Sequence, residues 1–206
     1  MRPCDMVALR KPPPHRMTVA EFLTWNFDDP SVHSWQLIDG EPVAMAPGSD
    51  NHGSIQAALG ALLWNQLTTP GSRCRAVIEP GIVPRGLSDR NYRIPDIGVT
   101  CAPPSGAQML PDPLILIEIL SPSNETETWA NVWTYLTIPT VMEVLIVNST
   151  RVEAELLRRN PDGTWPEVPL QIGRADALSL DSIDFTVPLA TLYRTTTLAM
   201  PGGNPP

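Results

Sequence analysis

The sequence predicts a single α/β (α+β) domain built on a mixed β-sheet with flanking helices. Three observations carry this expectation. Apolar spacing switches between the helical and the strand period along the chain. Residues 114–120 are aliphatic at every position but Glu118, as a strand covered on both faces requires. A chain of 206 residues, 42% apolar and 17% charged, suits one core rather than two.

Taken in order, residues 1–16, with the run Lys11-Pro-Pro-Pro14, are expected to form a flexible arm, and residues 200–206 a flexible tail. The domain is then 17–199. Residues 18–25 read as a short helix, with Thr18 and Glu21 as a capping box. Residues 35–45 read as a hairpin about Asp39-Gly40, with apolar Trp35, Leu37, Val43 and Met45. Ile55, Leu59, Leu62, Leu63 and Leu67 form a helical stripe that Pro70-Gly71 stops. Strands are expected over 75–84, 92–100 and 114–120. A second long helix over 125–136 would be capped by Asn124 and Glu127 and would bury Trp129, Val132, Trp133 and Leu136. Strands over 141–148 and 152–158 follow, and a short helix within 187–194 closes the domain. Proline is abundant, 24 residues in all, which limits helix length and favours extended segments and turns.

Acids outnumber bases 22 to 14, the net charge is −8, and Lys11 is the sole lysine. That balance disfavours nonspecific nucleic-acid binding, which is dominated by basic residues, and docking on an anionic membrane. Cys4, Cys74 and Cys101 have no zinc-ligand spacing and are expected to be reduced thiols. With no apolar run of membrane-spanning length and no signal-peptide pattern, the expected compartment is the cytoplasm.

Glu118 is the most informative residue. An ionised carboxylate among isoleucines and leucines costs several kcal/mol unless it is paired, protonated or bound to a cation. Asp96 follows Pro95, which interrupts strand hydrogen bonding and lets the chain aim a carboxylate out of the sheet. The strands carrying Asp96 and Glu118 are consecutive, so the two acids can meet, and a divalent cation would relieve their repulsion. Residues 73–93 hold five arginines against two acids, a net +3 that suits either a phosphate-bearing substrate or a solvated, salt-bridged surface and leaves the rest of the chain at −11.

Leu37-Ile-Asp-Gly-Glu41, Asn51-His52, Pro95-Asp96, Glu118-Ile-Leu-Ser-Pro-Ser123 and a helix ending in Tyr135 together resemble the Uma2 family, the former domain of unknown function 820. Its members are restriction-endonuclease-like proteins of the PD-(D/E)XK nuclease fold. The resemblance runs over about 18–159 and implies an αβββαβ core plus an N-terminal β-hairpin. It implies Asp96, Glu118 and the main-chain carbonyl of Ile119 as ligands of Mg²⁺ or Mn²⁺. Glu41 is implied as a further acid; His52 and Gln56, one helical turn apart, could line the same pocket or serve helix capping and packing.

One departure stands out. The family's lysine falls four residues before the tyrosine, where this chain has Asn131, with Glu127 four residues earlier; Gln36 stands where a glutamate is frequent. Asparagine can orient water but supplies no positive charge. The expected function is a Mg²⁺-dependent endonuclease-like hydrolase of DNA phosphodiesters, with Asn131 positioning water and Tyr135 shaping the pocket. Two alternatives stay open: a nuclease fold without turnover that acts as a binding or regulatory module, and a metal-dependent hydrolase of a small phosphorylated or acyl substrate. The apolar hairpin could pair with a second copy, so a homodimer is also an expectation.

Overall fold

The computed structural model describes residues 15–25, 35–86, 88–121 and 125–199. Most of the expected arm, the tail 200–206 and the Asn124 cap lie outside these residues.

Helix α1 (Val19–Thr24) begins where the capping box predicts: Thr18 and Glu21 each take a hydrogen bond from the other's backbone. Strands β1 (Trp35–Ile38) and β2 (Glu41–Ala44) form the antiparallel hairpin. Its two-residue loop puts Asp39 at φ 49° and Gly40 at φ 84°, the left-handed geometry that matches strand twist. Helix α2 (Asp50–Leu67) starts earlier than its apolar stripe, because the Ser49 side chain accepts the His52 N–H. Its face of Ile55, Leu59, Leu63 and Leu67 is buried.

A six-stranded mixed sheet follows, in the order β3 (Arg75–Ile78), β4 (Ile97–Thr100), β5 (Pro113–Leu120), β6 (Glu143–Asn148), β7 (Glu153–Arg158) and β8 (Leu170–Gly173). Only β5 and β6 run parallel, joined through α3 (Glu125–Tyr135). A second hairpin, β9 (Ala177–Leu180) with β10 (Phe185–Pro188), leads into a 3₁₀ turn over Leu189–Tyr193. Two layers cover the sheet. On one face α2, β9, β10 and the 3₁₀ turn pack on Ile97, Val99, Ile115, Ile117, Ile119 and Leu145. On the other, Val132 and Tyr135 of α3 pack on Leu116, Val144 and Ile146. The N-terminal hairpin and α1 bury Met17, Phe22 and Leu37 around Tyr92. Among the described residues, no helix is long and apolar enough to cross a membrane.

The structure corrects two expectations outside the site. Cys74 and Cys101 are joined as a disulfide. They lie one step beyond the paired Arg75 and Thr100, so the β3–β4 register brings together residues 27 apart in sequence. On α3, Trp133 is 57% exposed, and the buried positions are Thr128, Asn131, Val132 and Tyr135. The hydrophobic stripe is thus displaced by polar residues, because that face meets a carboxylate rather than only the core. Strands β8 to β10 had no anticipated counterpart beyond the closing segment: their apolar residues alternate too briefly to stand out.

Gly81 shows how tightly the segment before the site is packed. Tyr92 donates its hydroxyl to the Gln108 carbonyl at 2.9 Å directly across Gly81. A Cβ at Gly81 would overlap that hydroxyl and lie 2.6 Å from the Gln108 oxygen. Gly81→Ala is therefore expected to cost about 1–3 kcal/mol through overpacking, visible as a lowered Tm; an unchanged Tm would show that the Tyr92 contact is dispensable.

Candidate active site

The site begins with a break in the sheet. Strands β4 and β5 pair as far as Ile97 opposite Ile117. Pro95, which has no N–H, prevents the ladder from continuing. At the next rung the Ile119 N–H is met by a side chain: Asp96 Oδ2 accepts it at 2.6 Å. The Asp96 main chain is fixed as well, since its carbonyl accepts from the Glu79 N–H at 3.0 Å and from Gln56 Nε2 at 3.1 Å. In an extended strand a residue's N–H and C=O point to the same side, so the Ile119 carbonyl is turned toward Asp96.

The other Asp96 oxygen, Oδ1, lies 2.8 Å from Nε2 of His52, on the first turn of α2. Burial disfavours a protonated His52 ring. The hydrogen bond and charge of Asp96, with smaller help from Glu79 and the Ile119 main chain, outweigh that and hold its pKa above the ordinary value.

Glu118 points to the opposite face, toward α3. Tyr135 donates its hydroxyl to Oε1 at 2.7 Å, and Asn131 Nδ2 approaches the same oxygen at 3.4 Å. Both bonds fall on one oxygen, and Oε2 has no hydrogen-bond partner among the described residues. Burial pushes the Glu118 carboxyl well above the usual carboxylate range; the neighbouring Asp96 charge adds to this, and the bonds from Tyr135 and Asn131 oppose it. The Tyr135 hydroxyl is pushed up too, by burial and then by the Glu118 charge.

His52, Gln56, Asp96, Glu118, Ile119, Asn131 and Tyr135 thus come together from α2, β4, β5 and α3. Glu41 does not. Its carboxylate is largely exposed and faces Arg16 at 3.9 Å, because the first residue of β2 sits beside the hairpin turn, away from the acidic pair. Among the described residues, no three His, Cys, Asp or Glu side chains form a metal cage.

Two features escaped sequence reasoning. Gln36 donates to Glu127 Oε1 at 3.0 Å and accepts the Ile94 N–H at 3.3 Å, tying β1, the segment before Pro95 and α3 together. An amide can do both, whereas a carboxylate could not donate. Arg93 is 5% exposed and lies on this side of the sheet. Nothing in the arginine-rich segment separates it from Arg90, which is exposed and pairs with Asp89 at 3.6 Å.

The donor set suits a hard divalent cation: the carboxylate of Asp96 just before β4, that of Glu118 on β5 and a main-chain carbonyl, all oxygen. The buried Asn131 Oδ1 also lacks a hydrogen-bond partner. That oxygen is a further acceptor close to the acidic pair, through the Asn131–Glu118 contact.

The mixed sheet with helices on both faces matches a nuclease-like fold. A crystal structure described as "a putative nuclease belonging to DUF820", from Anabaena variabilis, superposes with a TM-score of 0.68 at 19% identity, covering 86% of this chain and 97% of that one. The chain belongs to the Uma2 family, described as "Putative restriction endonuclease", whose model matches residues 19–190. A relative from Synechocystis sp., described as "Uncharacterized protein slr1290", is 31% identical over 182 residues, 87% of this chain and 92% of the relative.

Proposed function

We propose that this protein is a divalent-metal-dependent hydrolase of DNA phosphodiester bonds, using Mg²⁺ or Mn²⁺. The observation that carries this reading is the pairing of Asp96 and Glu118 across the broken β4–β5 ladder, with Asp96 hydrogen-bonded at 2.6 Å to the N–H of Ile119. Asp96, Glu118 and the Ile119 carbonyl would hold the cation. When bound, it would lower the pKa of a water and offset charge on the phosphodiester. The protein's own groups do the positioning. Tyr135 and Asn131 fix Glu118 by one oxygen and leave the other without a hydrogen-bond partner among the described residues. His52 and the Ile119 N–H fix both oxygens of Asp96, and Gln56 fixes its backbone.

Asn131, standing where the family's lysine falls, supports a second reading, a nuclease fold that binds without turnover. Plasmid nicking separates the two. Wild type is expected to nick supercoiled DNA with Mg²⁺ or Mn²⁺, to stop in EDTA, and to lose the activity in Asp96→Ala. Absence of metal-dependent nicking, or equal nicking by Asp96→Ala, would sink the hydrolase reading.

A further inference from the structure

Arg93 has an unusual environment for a charged residue. Only 5% of its surface is exposed, yet among the described residues no carboxylate forms an ion pair with it. Among the described residues its guanidinium makes a single hydrogen bond, from Nη2 to Asn91 Oδ1 at 3.1 Å. The buried Nε has no partner, and Nη1 makes no hydrogen bond among the described residues. An arginine cannot shed its proton to escape such a place. A buried cation left unpaired costs several kcal/mol, and replacing such a group by an apolar one is frequently neutral or stabilising. Something other than stability keeps it.

Its position says what. The Arg93 backbone exchanges two hydrogen bonds with Ile82, each 2.8 Å, and its neighbour Ile94 is held by Gln36, which holds Glu127 on α3. Asp96 is three residues further on. Burial lowers the Arg93 pKa, while Tyr135, Asp39, Glu127 and Glu118 act in the other direction, so the guanidinium feels the same groups that surround the acidic pair. Tyr135 and Asn131 satisfy Glu118 on this side, so the guanidinium is held near the carboxylates without being neutralised by them.

We propose that Arg93 is the phosphate-binding residue of this site, its free N–H groups taking a non-bridging phosphate oxygen and supplying the positive charge that Asn131 lacks. The inference rests on the hydrolase reading for the identity of the substrate, but the anion site itself does not. A planar guanidinium suits phosphate geometry, and the role is charge stabilisation rather than proton transfer. Asn91, which also donates to Asp39 Oδ1 at 3.1 Å, sets its orientation.

The test is calorimetric titration of inorganic phosphate in the presence of Mg²⁺, on wild type, Arg93→Met, Arg93→Lys and the exposed control Arg90→Met, with Mg²⁺ binding and Tm measured on each. Arg93→Met is expected to weaken phosphate binding at least tenfold, to bind Mg²⁺ as wild type does, and to melt at or above the wild-type temperature. Arg93→Lys is expected to fall between, and Arg90→Met to match wild type. Phosphate bound equally by Arg93→Met, or not bound by wild type, would overturn the proposal. So would a fall in Tm of Arg93→Met that Arg93→Lys restores without restoring phosphate binding, since that marks a structural charge. If wild type binds phosphate through Arg93 yet shows no metal-dependent nicking, only the hydrolase reading fails.

Discussion

Glu118→Gln is expected to lose metal-dependent cleavage by a factor on the order of 10³ or more, while making the metal-free protein more stable. Both effects have one cause. The carboxylate sits where burial and the Asp96 charge disfavour its ionised form, so its charge opposes folding until a cation arrives. A neutral amide of the same shape keeps the Tyr135 hydrogen bond and removes the repulsion. It also removes an anionic ligand, and several kcal/mol of transition-state charge stabilisation go with it. The pH dependence follows in sign. A carboxyl whose folded pKa is raised adds stability below its unfolded pKa, and this is lost as pH rises through the folded value. Metal-free wild type should therefore lose stability from the ordinary carboxylate range upward, and Glu118→Gln should lose less. Thermal melts across pH, with and without Mg²⁺, measure this. A Glu118→Gln protein that melts lower than wild type without metal, or that still gains Tm from Mg²⁺ as wild type does, would contradict the assignment.

Much of this site was legible because its signals are local. A carboxylate inside an aliphatic strand and a proline next to an aspartate are each visible in a few residues, and the short connection between their strands brings them together. Arg93 was not legible, because burial and the lack of an ion pair are properties of the fold and not of a spacing. Glu41 was misplaced for the opposite reason. Its sequence neighbourhood fits the family pattern, but the turn of the hairpin directs its side chain to solvent. The disulfide between Cys74 and Cys101 depended on strand register, which no count of cysteines supplies. The core order of helix, three strands, helix and two strands was readable because α2 has an apolar stripe and a cap and because the apolar runs of β5 and β6 flank the α3 segment. Strands β8 to β10 are four residues each, like β1 to β4, but lack the Asp-Gly turn and the motif neighbours that marked those earlier segments.

Glu143 tests how far the strongest sequence signal can be trusted. It too is a carboxylate in an aliphatic strand, within Val141-Met-Glu-Val-Leu-Ile-Val147, and it is fully buried. Its residue parity puts it on the opposite face of the sheet from Glu118, and there it is saturated. Arg158 Nε donates to Oε1 at 2.9 Å, the Asp181 N–H to the same oxygen at 3.1 Å, and the Ser182 N–H to Oε2 at 3.0 Å. The carboxylate thereby anchors the loop between β9 and β10 to the sheet, and Arg158 completes the tie through Asp181 at 2.9 Å and the Ser179 carbonyl at 2.8 Å. Three donors, one of them the charged Arg158 guanidinium, hold Glu143 as a charge-balanced structural anchor, whereas Glu118 has no cation beside it among its hydrogen-bond partners. Glu143→Ala would leave two backbone N–H groups and a guanidinium short of an acceptor inside a well-packed layer. The expected cost is about 3 kcal/mol, toward the low end for a broken buried pair because Arg158 is partly solvated. For a domain of this size that is roughly a 6–12 °C fall in Tm, with Mg²⁺ binding retained in the folded fraction. A Glu143→Ala protein that melts like wild type but loses Mg²⁺ binding would reverse the two assignments and move the functional carboxylate to β6.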